Sequence, residues 1–231
     1  MQNKDKNKTN EISTDPYATV LTKDDVLEIS KKIREDNLLG CNLVIESIQD
    51  SGKGAKMALL GRRLQTIYEK ETNTLIVRGY KLTIIDGKDL FRHIDVRSIK
   101  FIGVDTSNCQ SMQCMFARCD MLEELDVSCF ITDKVKTMEG MFHSCETIEK
   151  LDLSNFSIPK VKDLSLMFGN CYGLVSLDIS GFYTNKVKKM RAFIADCANL
   201  KTLKIGCLDL GKATDVSGIY DVICAPISIY K

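Results

Sequence analysis

A cysteine recurs at a fixed interval of 26 residues, and this period limits how the chain can fold more than any other feature of the sequence. The four cysteines are Cys119, Cys145, Cys171 and Cys197. Each is preceded by an apolar pair and followed by aliphatic residues three, six and eight positions later. A constant period of this length is typical of repeats that cannot bury their own apolar side and must stack on a neighbour.

Each repeat contains two kinds of apolar spacing. The alternation of Leu125 with Val127, repeated in each unit, predicts a short strand with its apolar side chains on one face. From Val135 to Cys145 the apolar residues are spaced by three, three, one and three, which predicts a helix of about two to three turns. The sequence therefore predicts one strand and one helix in every repeat.

Three successive segments carry a resemblance to a known family: VKTMEGMFHSCETIEKLDLSNF, VKDLSLMFGNCYGLVSLDISGF and VKKMRAFIADCANLKTLKIGCL. They resemble the 26-residue leucine-rich repeats of bacterial surface proteins and mycoplasma-type lipoproteins, which are related to Treponema-type repeats. The resemblance implies an α/β fold, a right-handed leucine-rich-repeat solenoid with short parallel strands on the concave face and short helices on the convex face. It also implies protein binding, and the family has no catalytic residues to transfer.

The chain divides into three predicted parts. Residues 1–18 are polar and lysine-rich and are predicted to be a disordered tail. Residues 19–74 are predicted to form a small α+β cap, with a helix capped by Thr22 and Asp25 that stops at Gly40. A strand is expected over 42–48 and a last strand near Ile229. The solenoid is predicted over 75–231, with its clearest repeats at 96–216.

Composition and motifs give no sign of catalysis or of a cofactor. The 32 basic and 31 acidic residues nearly cancel, which argues against a protein that coats nucleic acid generally. The glycine-rich stretch at 52–56 lacks the spacing of a phosphate-binding loop, so an ordinary turn is favoured. We therefore expect a protein that is not an enzyme and holds no cofactor.

The ten cysteines are interpreted as buried structural thiols and not as metal ligands or disulfides. Equivalent cysteines of stacked repeats have parallel Cβ vectors, a geometry poorly suited to a bridge. Cys109, Cys114 and Cys119 are spaced by five residues and cannot share one face of a helix. We expect no metal site, and reduced thiols agree with a cytoplasmic location.

Two rows of polar residues are candidate binding surfaces. The first lies on the predicted concave face, where aspartates alternate with buried strand residues; the alternative is that these aspartates and nearby serines only bond neighbouring backbone groups. Its members are Glu124, Asp126, Lys150, Asp152, Ser176, Asp178, Thr202 and Lys204. The second is a basic edge that could receive an acidic protein or a phosphate backbone, unless it is simply a solvated turn. Its members are Lys134, Lys136, Lys160, Lys162, Lys186 and Lys188.

The sequence therefore predicts a cytoplasmic module that binds another macromolecule, most simply a protein, and occludes or recruits a host or phage component. No apolar stretch is long enough to span a membrane, and the first residues have no secretory signal. Two alternatives remain open. One is a surface adhesin whose leader is missing, and the other is a nucleic-acid-associated protein that uses the lysine row.

Overall fold

The computed structural model describes residues 18–49, 64–207, 209, 211–218 and 228–230. Most of the predicted tail and the glycine-rich stretch at 52–56 lie outside these residues. The described part contains the helix α1 (Lys23–Glu35) and the strands β1 (Cys41–Ile48), β2 (Gln65–Glu69), β3 (Thr74–Tyr80), β4 (Val96–Ile102), β5 (Glu124–Asp126), β6 (Lys150–Asp152), β7 (Ser176–Tyr183), β8 (Thr202–Cys207) and β9 (Ser228–Tyr230).

The predicted fold class, a leucine-rich-repeat solenoid with convex helices, is wrong. The one helix of the described residues precedes the repeats, and the strands form two sheets. The first sheet is mixed and has the order β2-β3-β1-β4-β5, in which only β2 is antiparallel to its neighbour. The second has the order β6-β7-β8-β9 and is parallel throughout.

The predicted repeat helix fails because its segment is a chain of turns. Gly140 and Ser144 have left-handed backbone angles, with φ of 59° and 58°, which a right-handed helix cannot contain. Their amides donate to the next repeat, to the carbonyls of Ser165 and Gly169, both at 2.9 Å. Apolar spacing of three, three, one and three fits such turns as well as a helix. Left-handed residues recur at the equivalent positions of other repeats, at Cys114 and Arg118, Leu166 and Asn170, and Ala192 and Asp196.

The repeats nevertheless lie in parallel register with the period of the sequence. In the second sheet Leu151 pairs with Leu177, Leu177 with Leu203, and Leu203 with Ile229. The predicted last strand is therefore confirmed as β9. A separate column of isolated parallel bridges joins the turn segments, and it runs through Ser111, Thr137, Asp163, Lys189 and Asp215.

Phenylalanine rings and cysteine thiols fill the space between the repeats. Phe142 is fully buried and stacks on Phe116 at 5.7 Å and on Phe168 at 5.6 Å between ring centroids. The thiols of Cys145 and Cys171 donate to the carbonyls of Phe116 and Phe142, both at 3.1 Å. The core therefore continues from repeat to repeat. The burial predicted for the cysteines is confirmed at Cys119, Cys145, Cys171 and Cys197, whereas Cys114 and Cys129 are half-buried and Cys207 is exposed.

The N-terminal part begins as predicted and then joins the first sheet. Thr22 and Asp25 form the predicted capping box, but α1 ends at Glu35, before the predicted stop at Gly40, because Asn37 already has a left-handed φ of 56°. Strand β1 agrees with the strand expected over 42–48 and lies between β3 and β4. Residues predicted as a cap therefore supply an internal strand of the first sheet.

Candidate functional site

Three aspartates occupy equivalent positions of successive strands on the predicted binding face, at the ends of β5 and β6 and within β7. Each accepts, through Oδ1, the backbone amide of the serine two residues later. The distances are 3.1 Å for Asp126, 2.9 Å for Asp152 and 3.1 Å for Asp178. The interpretation that these aspartates bond neighbouring backbone groups is thus confirmed, and each keeps a second carboxylate oxygen for another partner.

Lysines occupy the two ends of this aspartate row. Lys100 Nζ lies 3.5 Å from Oδ2 of Asp126, and Lys204 Nζ lies 3.1 Å from Oδ2 of Asp178. The pKa of Asp126 is lowered, first by the Ser128 hydroxyl and further by Lys100. The pKa of Asp178 is also lowered, because the bonds from Ser180 and Lys204 outweigh the opposing effect of burial. Among the described residues no cation forms an ion pair with Asp152, in the middle of the row.

The strand ladder is interrupted beside Asp152, between β5 and β6. On either side of this step the pattern is regular. The amide of Glu123 donates to the carbonyl of Arg97 at 2.8 Å, and the amide of Val175 donates to the carbonyl of Glu149 at 2.8 Å. In the described chain, the amide of Glu149 makes no such bond to the carbonyl of Glu123. Where the two sheets separate, neither backbone group has another hydrogen-bond partner among the described residues.

Two features of the sequence account for the interruption. Glu123 and Glu149 occupy equivalent positions of adjacent repeats, where like charges oppose pairing. Thr147 lies between the same repeats, and its hydroxyl donates to the carbonyls of Asp120 at 3.1 Å and Leu122 at 2.8 Å. One repeat later this position is Gly173, where a Cβ would lie 2.4 Å from the carbonyl oxygen of Glu146. Close approach is therefore possible at Gly173, whereas a side chain fills the gap at Thr147.

A groove of about 1100 Å³ opens over this interruption, and we call it the acidic groove. Six carboxylates line it, from Glu123, Glu124, Glu146, Glu149, Asp152 and Asp178, against two ammonium groups, from Lys150 and Lys204. It includes six of the eight predicted face residues, namely Glu124, Lys150, Asp152, Ser176, Asp178 and Lys204. The other two, Asp126 and Thr202, lie on β5 and β8 outside its lining.

Three glutamates of this groove were not predicted from the sequence, namely Glu123, Glu146 and Glu149. The signal that could have identified two of them was available, because Glu123 and Glu149 are separated by one repeat length. An acidic residue that recurs beside the strands of adjacent repeats indicates either that the two strands do not pair there or that a cation binds between them. Only the structure shows that the ladder opens there.

The predicted basic edge forms a regular row along the turn segments. Backbone amides of Lys162 and Lys188 donate to the carbonyls of Lys136 and Lys162 at 3.0 and 2.8 Å, which stacks these three lysines one repeat apart. Lys134 and Lys136 donate through Nζ to the neutral side chains of Asn108 and Gln110, each at 2.7 Å. Within the described part of the chain neither lysine forms an ion pair with a carboxylate, and Lys160, Lys162, Lys186 and Lys188 are exposed.

Cys109 and His143 are removed from solvent, wholly or in part, and their pKa values reflect this burial. Burial raises the pKa of Cys109 to about 11, which leaves this thiol protonated at neutral pH. His143 Nδ1 lies 3.0 Å from the carbonyl oxygen of Gly169, and burial lowers the pKa of this imidazole. Within the described ranges, no three His, Cys, Asp or Glu side chains are arranged to hold a metal ion.

Comparison with known proteins gives one family. Residues 86–206 match the family model described as "Mycoplasma protein of unknown function, DUF285", which is compatible with the resemblance to mycoplasma proteins but shows no leucine-rich-repeat family. No curated protein and no solved structure matches the chain. No helix in the described part is long and apolar enough to cross a membrane.

Proposed function

We propose that this chain, which belongs to the DUF285 family of Mycoplasma proteins, is a non-enzymatic module that binds another protein through the acidic groove and the strand face around it. The observation that carries the proposal is the opening between β5 and β6. It combines a groove of about 1100 Å³ with unpaired backbone groups, and unpaired strand groups are a common template for association with another chain.

The stacked core supports a binding role on energetic grounds. Strands β4 to β8 are fixed by buried side chains of successive repeats, so the face that carries the groove is already ordered before a partner arrives. A preformed surface loses little conformational entropy on association, which leaves more of the contact energy available as affinity. Occlusion or recruitment of a host or phage component is the use that we propose for such a surface.

Site-specific photocrosslinking tests the proposal. A photoreactive residue replaces Ser176 in the groove, and a second protein carries it at Lys70, an exposed residue of the turn between β2 and β3. Both are expressed in the cell that makes the chain, and crosslinked proteins are identified by mass spectrometry. A polypeptide captured from position 176 and absent from position 70 supports protein binding, whereas identical captures contradict it.

A second candidate function is supported by the basic edge. Among the described residues no carboxylate forms an ion pair with its stacked lysines, whereas Lys189, next to Lys188, pairs with Asp163 at 3.5 Å. Binding to a phosphate backbone would weaken steeply with added salt. It would also be lost when Lys136, Lys162 and Lys188 are changed to Glu, whereas capture from Ser176 would be unaffected.

For the location we propose the cytoplasm, with the cell surface as the alternative. Support comes from the repeat cysteines, which are free and buried in the described chain, since unpaired thiols suit a reducing compartment. Protease treatment of intact cells distinguishes the two locations. A cytoplasmic protein survives the treatment until the cells are lysed, and a surface protein is degraded at once.

A further inference from the structure

Among the described residues, one aspartate of the aspartate row has no counterion. Lys100, Asp126, Asp152, Asp178 and Lys204 occupy equivalent positions of five successive strands. The two terminal aspartates are paired through Oδ2 with the two lysines, at 3.5 and 3.1 Å. Asp152 uses Oδ1 for the amide of Ser154, and its exposed Oδ2 faces no cation in the described chain. Asp152, at the centre, is therefore the one aspartate of the row whose charge no cation of the described residues balances.

The side chains around Asp152 add further negative charge that is not balanced. Glu124, Glu146 and Glu149 line the same groove, and none of them forms an ion pair within the described residues, whereas Glu123 is paired with Arg97 at 2.8 Å. Lys150 is the one ammonium of the lining without an ion pair among these residues. Four unpaired carboxylates thus face one unpaired ammonium group, and a bound cation would relieve their mutual repulsion.

The backbone at the opening offers one hydrogen-bond donor and one acceptor, and a free metal ion cannot bond to both. Among the described residues, the amide of Glu149 is an unused donor and the carbonyl of Glu123 is an unused acceptor, on adjacent repeats. An extended peptide presents both kinds of group along its own backbone and can satisfy both. Its side chains alternate, so a cationic residue can reach Asp152 while its neighbours point away from the groove.

We infer that the acidic groove binds an extended segment of the partner protein that carries lysine or arginine, with one cationic side chain held by Asp152 Oδ2 and Glu149. This inference rests on the proposed function, since it specifies the partner of the same groove. Nucleic acid is disfavoured here, because its phosphates would meet a net negative lining. The basic side chain of the partner then pairs with Asp152, as Lys100 pairs with Asp126 and Lys204 pairs with Asp178.

The test uses the full chain and three labelled peptides that differ only in charge: alternating Lys-Thr, alternating Gln-Thr and alternating Glu-Thr. Binding is measured by fluorescence anisotropy at low and physiological salt, with and without a divalent-metal chelator. We expect the Lys-Thr peptide to bind about tenfold or more tightly than the Gln-Thr peptide, and to lose affinity as salt screens the groove. The Glu-Thr peptide is expected not to bind.

Matched variants locate the interaction. Asp152→Asn keeps the acceptor for the Ser154 amide and removes the charge, and it is expected to weaken Lys-Thr binding about three- to tenfold. Glu71→Gln removes one exposed carboxylate in the turn between β2 and β3, and is expected to change affinity less than about twofold. Lys150→Gln removes the competing ammonium group and is expected to strengthen binding.

Several results would overturn the inference. Equal affinity for the three peptides, equal effects of Asp152→Asn and Glu71→Gln, or peptide binding that disappears with the chelator would each do so, and the last would indicate a metal ion in the groove. If the peptides fail while the residue at position 176 still captures a protein, the proposed function stands and this inference falls. If both experiments fail, both fall together.

Discussion

Replacement of Phe142 by alanine, in the middle of the ring column, is expected to cost more stability than the same truncation at the end of the column. Phe142 is fully buried and has a stacked ring on each side, Phe116 and Phe168, with interplanar angles of 5°. Truncation of a buried phenylalanine costs about 3–5 kcal/mol, and the two stacked neighbours place Phe142 near the upper end of that range. For a chain of this length the cost corresponds to a fall in Tm of about 8–20 °C.

Two comparison variants make this prediction specific. Phe193 ends the ring column and, within the described residues, has one ring neighbour, Phe168, edge-on at 5.2 Å, so Phe193→Ala is expected to cost less. Tyr183 is 63% exposed, and Tyr183→Ala is expected to cost under about 0.5 kcal/mol.

Far-ultraviolet circular dichroism during chemical and thermal unfolding gives these costs, since the chain has no tryptophan for fluorescence. The reasoning would be refuted if Phe142→Ala cost no more than Phe193→Ala, or no more than Tyr183→Ala. Either outcome would mean that the rings do not form one continuous core across the repeats.

Three further predictions concern the close backbone contact at Gly173, the N-terminal cap of α1 and the half-buried His143. Gly173→Ala should destabilise by about 1–3 kcal/mol in denaturant unfolding, because its Cβ would lie 2.4 Å from a carbonyl oxygen, whereas Gly211→Ala on the exposed surface should be nearly neutral. Thr22→Ala should cost about 1 kcal/mol, since the capping box is lost; an unchanged unfolding midpoint would contradict that cap. Burial lowers the pKa of His143 in the folded state, so the unfolded chain takes up the proton first and stability falls as pH drops below about 6.5. His143→Gln should reduce this loss in thermal melts between pH 7 and pH 5.5, and identical pH profiles would show that the histidine does not cause it.

The period of the sequence was sufficient to predict the register and the buried thiols. Equivalent residues such as Leu151, Leu177 and Leu203 pair because each repeat has the same length, and the flanking apolar residues leave no polar environment for the cysteines. Apolar character and spacing are properties of each repeat alone, and equal repeat lengths bring equivalent residues together when the repeats stack. The register and the buried thiols can therefore be derived from the composition of one unit and its copies.

The repeat helices could not be predicted correctly, because the same apolar spacing fits a helix and a chain of turns. What decides between them is the destination of the backbone amides. At Gly140 and Ser144 these amides bond to the next repeat, and that choice depends on a carbonyl 25 residues away. Local periodicity carries no information about it.

The position of β1 and the opening of the groove depend on relations between distant segments. Strand β1 pairs with β3 on one side and β4 on the other, although no repeat motif marks it. The opening arises from Thr147 and from the like charges of Glu123 and Glu149 on adjacent repeats. The aspartate row was visible in the sequence, but its missing counterion required the two lysine pairs to be located.

Amide hydrogen exchange at single-residue resolution tests most directly whether the ladder opens between β5 and β6. Four equivalent amides are compared, those of Glu123, Glu149, Val175 and Lys201, of which all except Glu149 donate to a carbonyl of the preceding repeat at 2.8–2.9 Å. We predict that the Glu149 amide exchanges about a hundredfold or more faster than the other three in the native protein. Protection of Glu149 equal to that of Val175 would show a closed ladder, and the acidic groove would then lose the opening on which its proposed function depends.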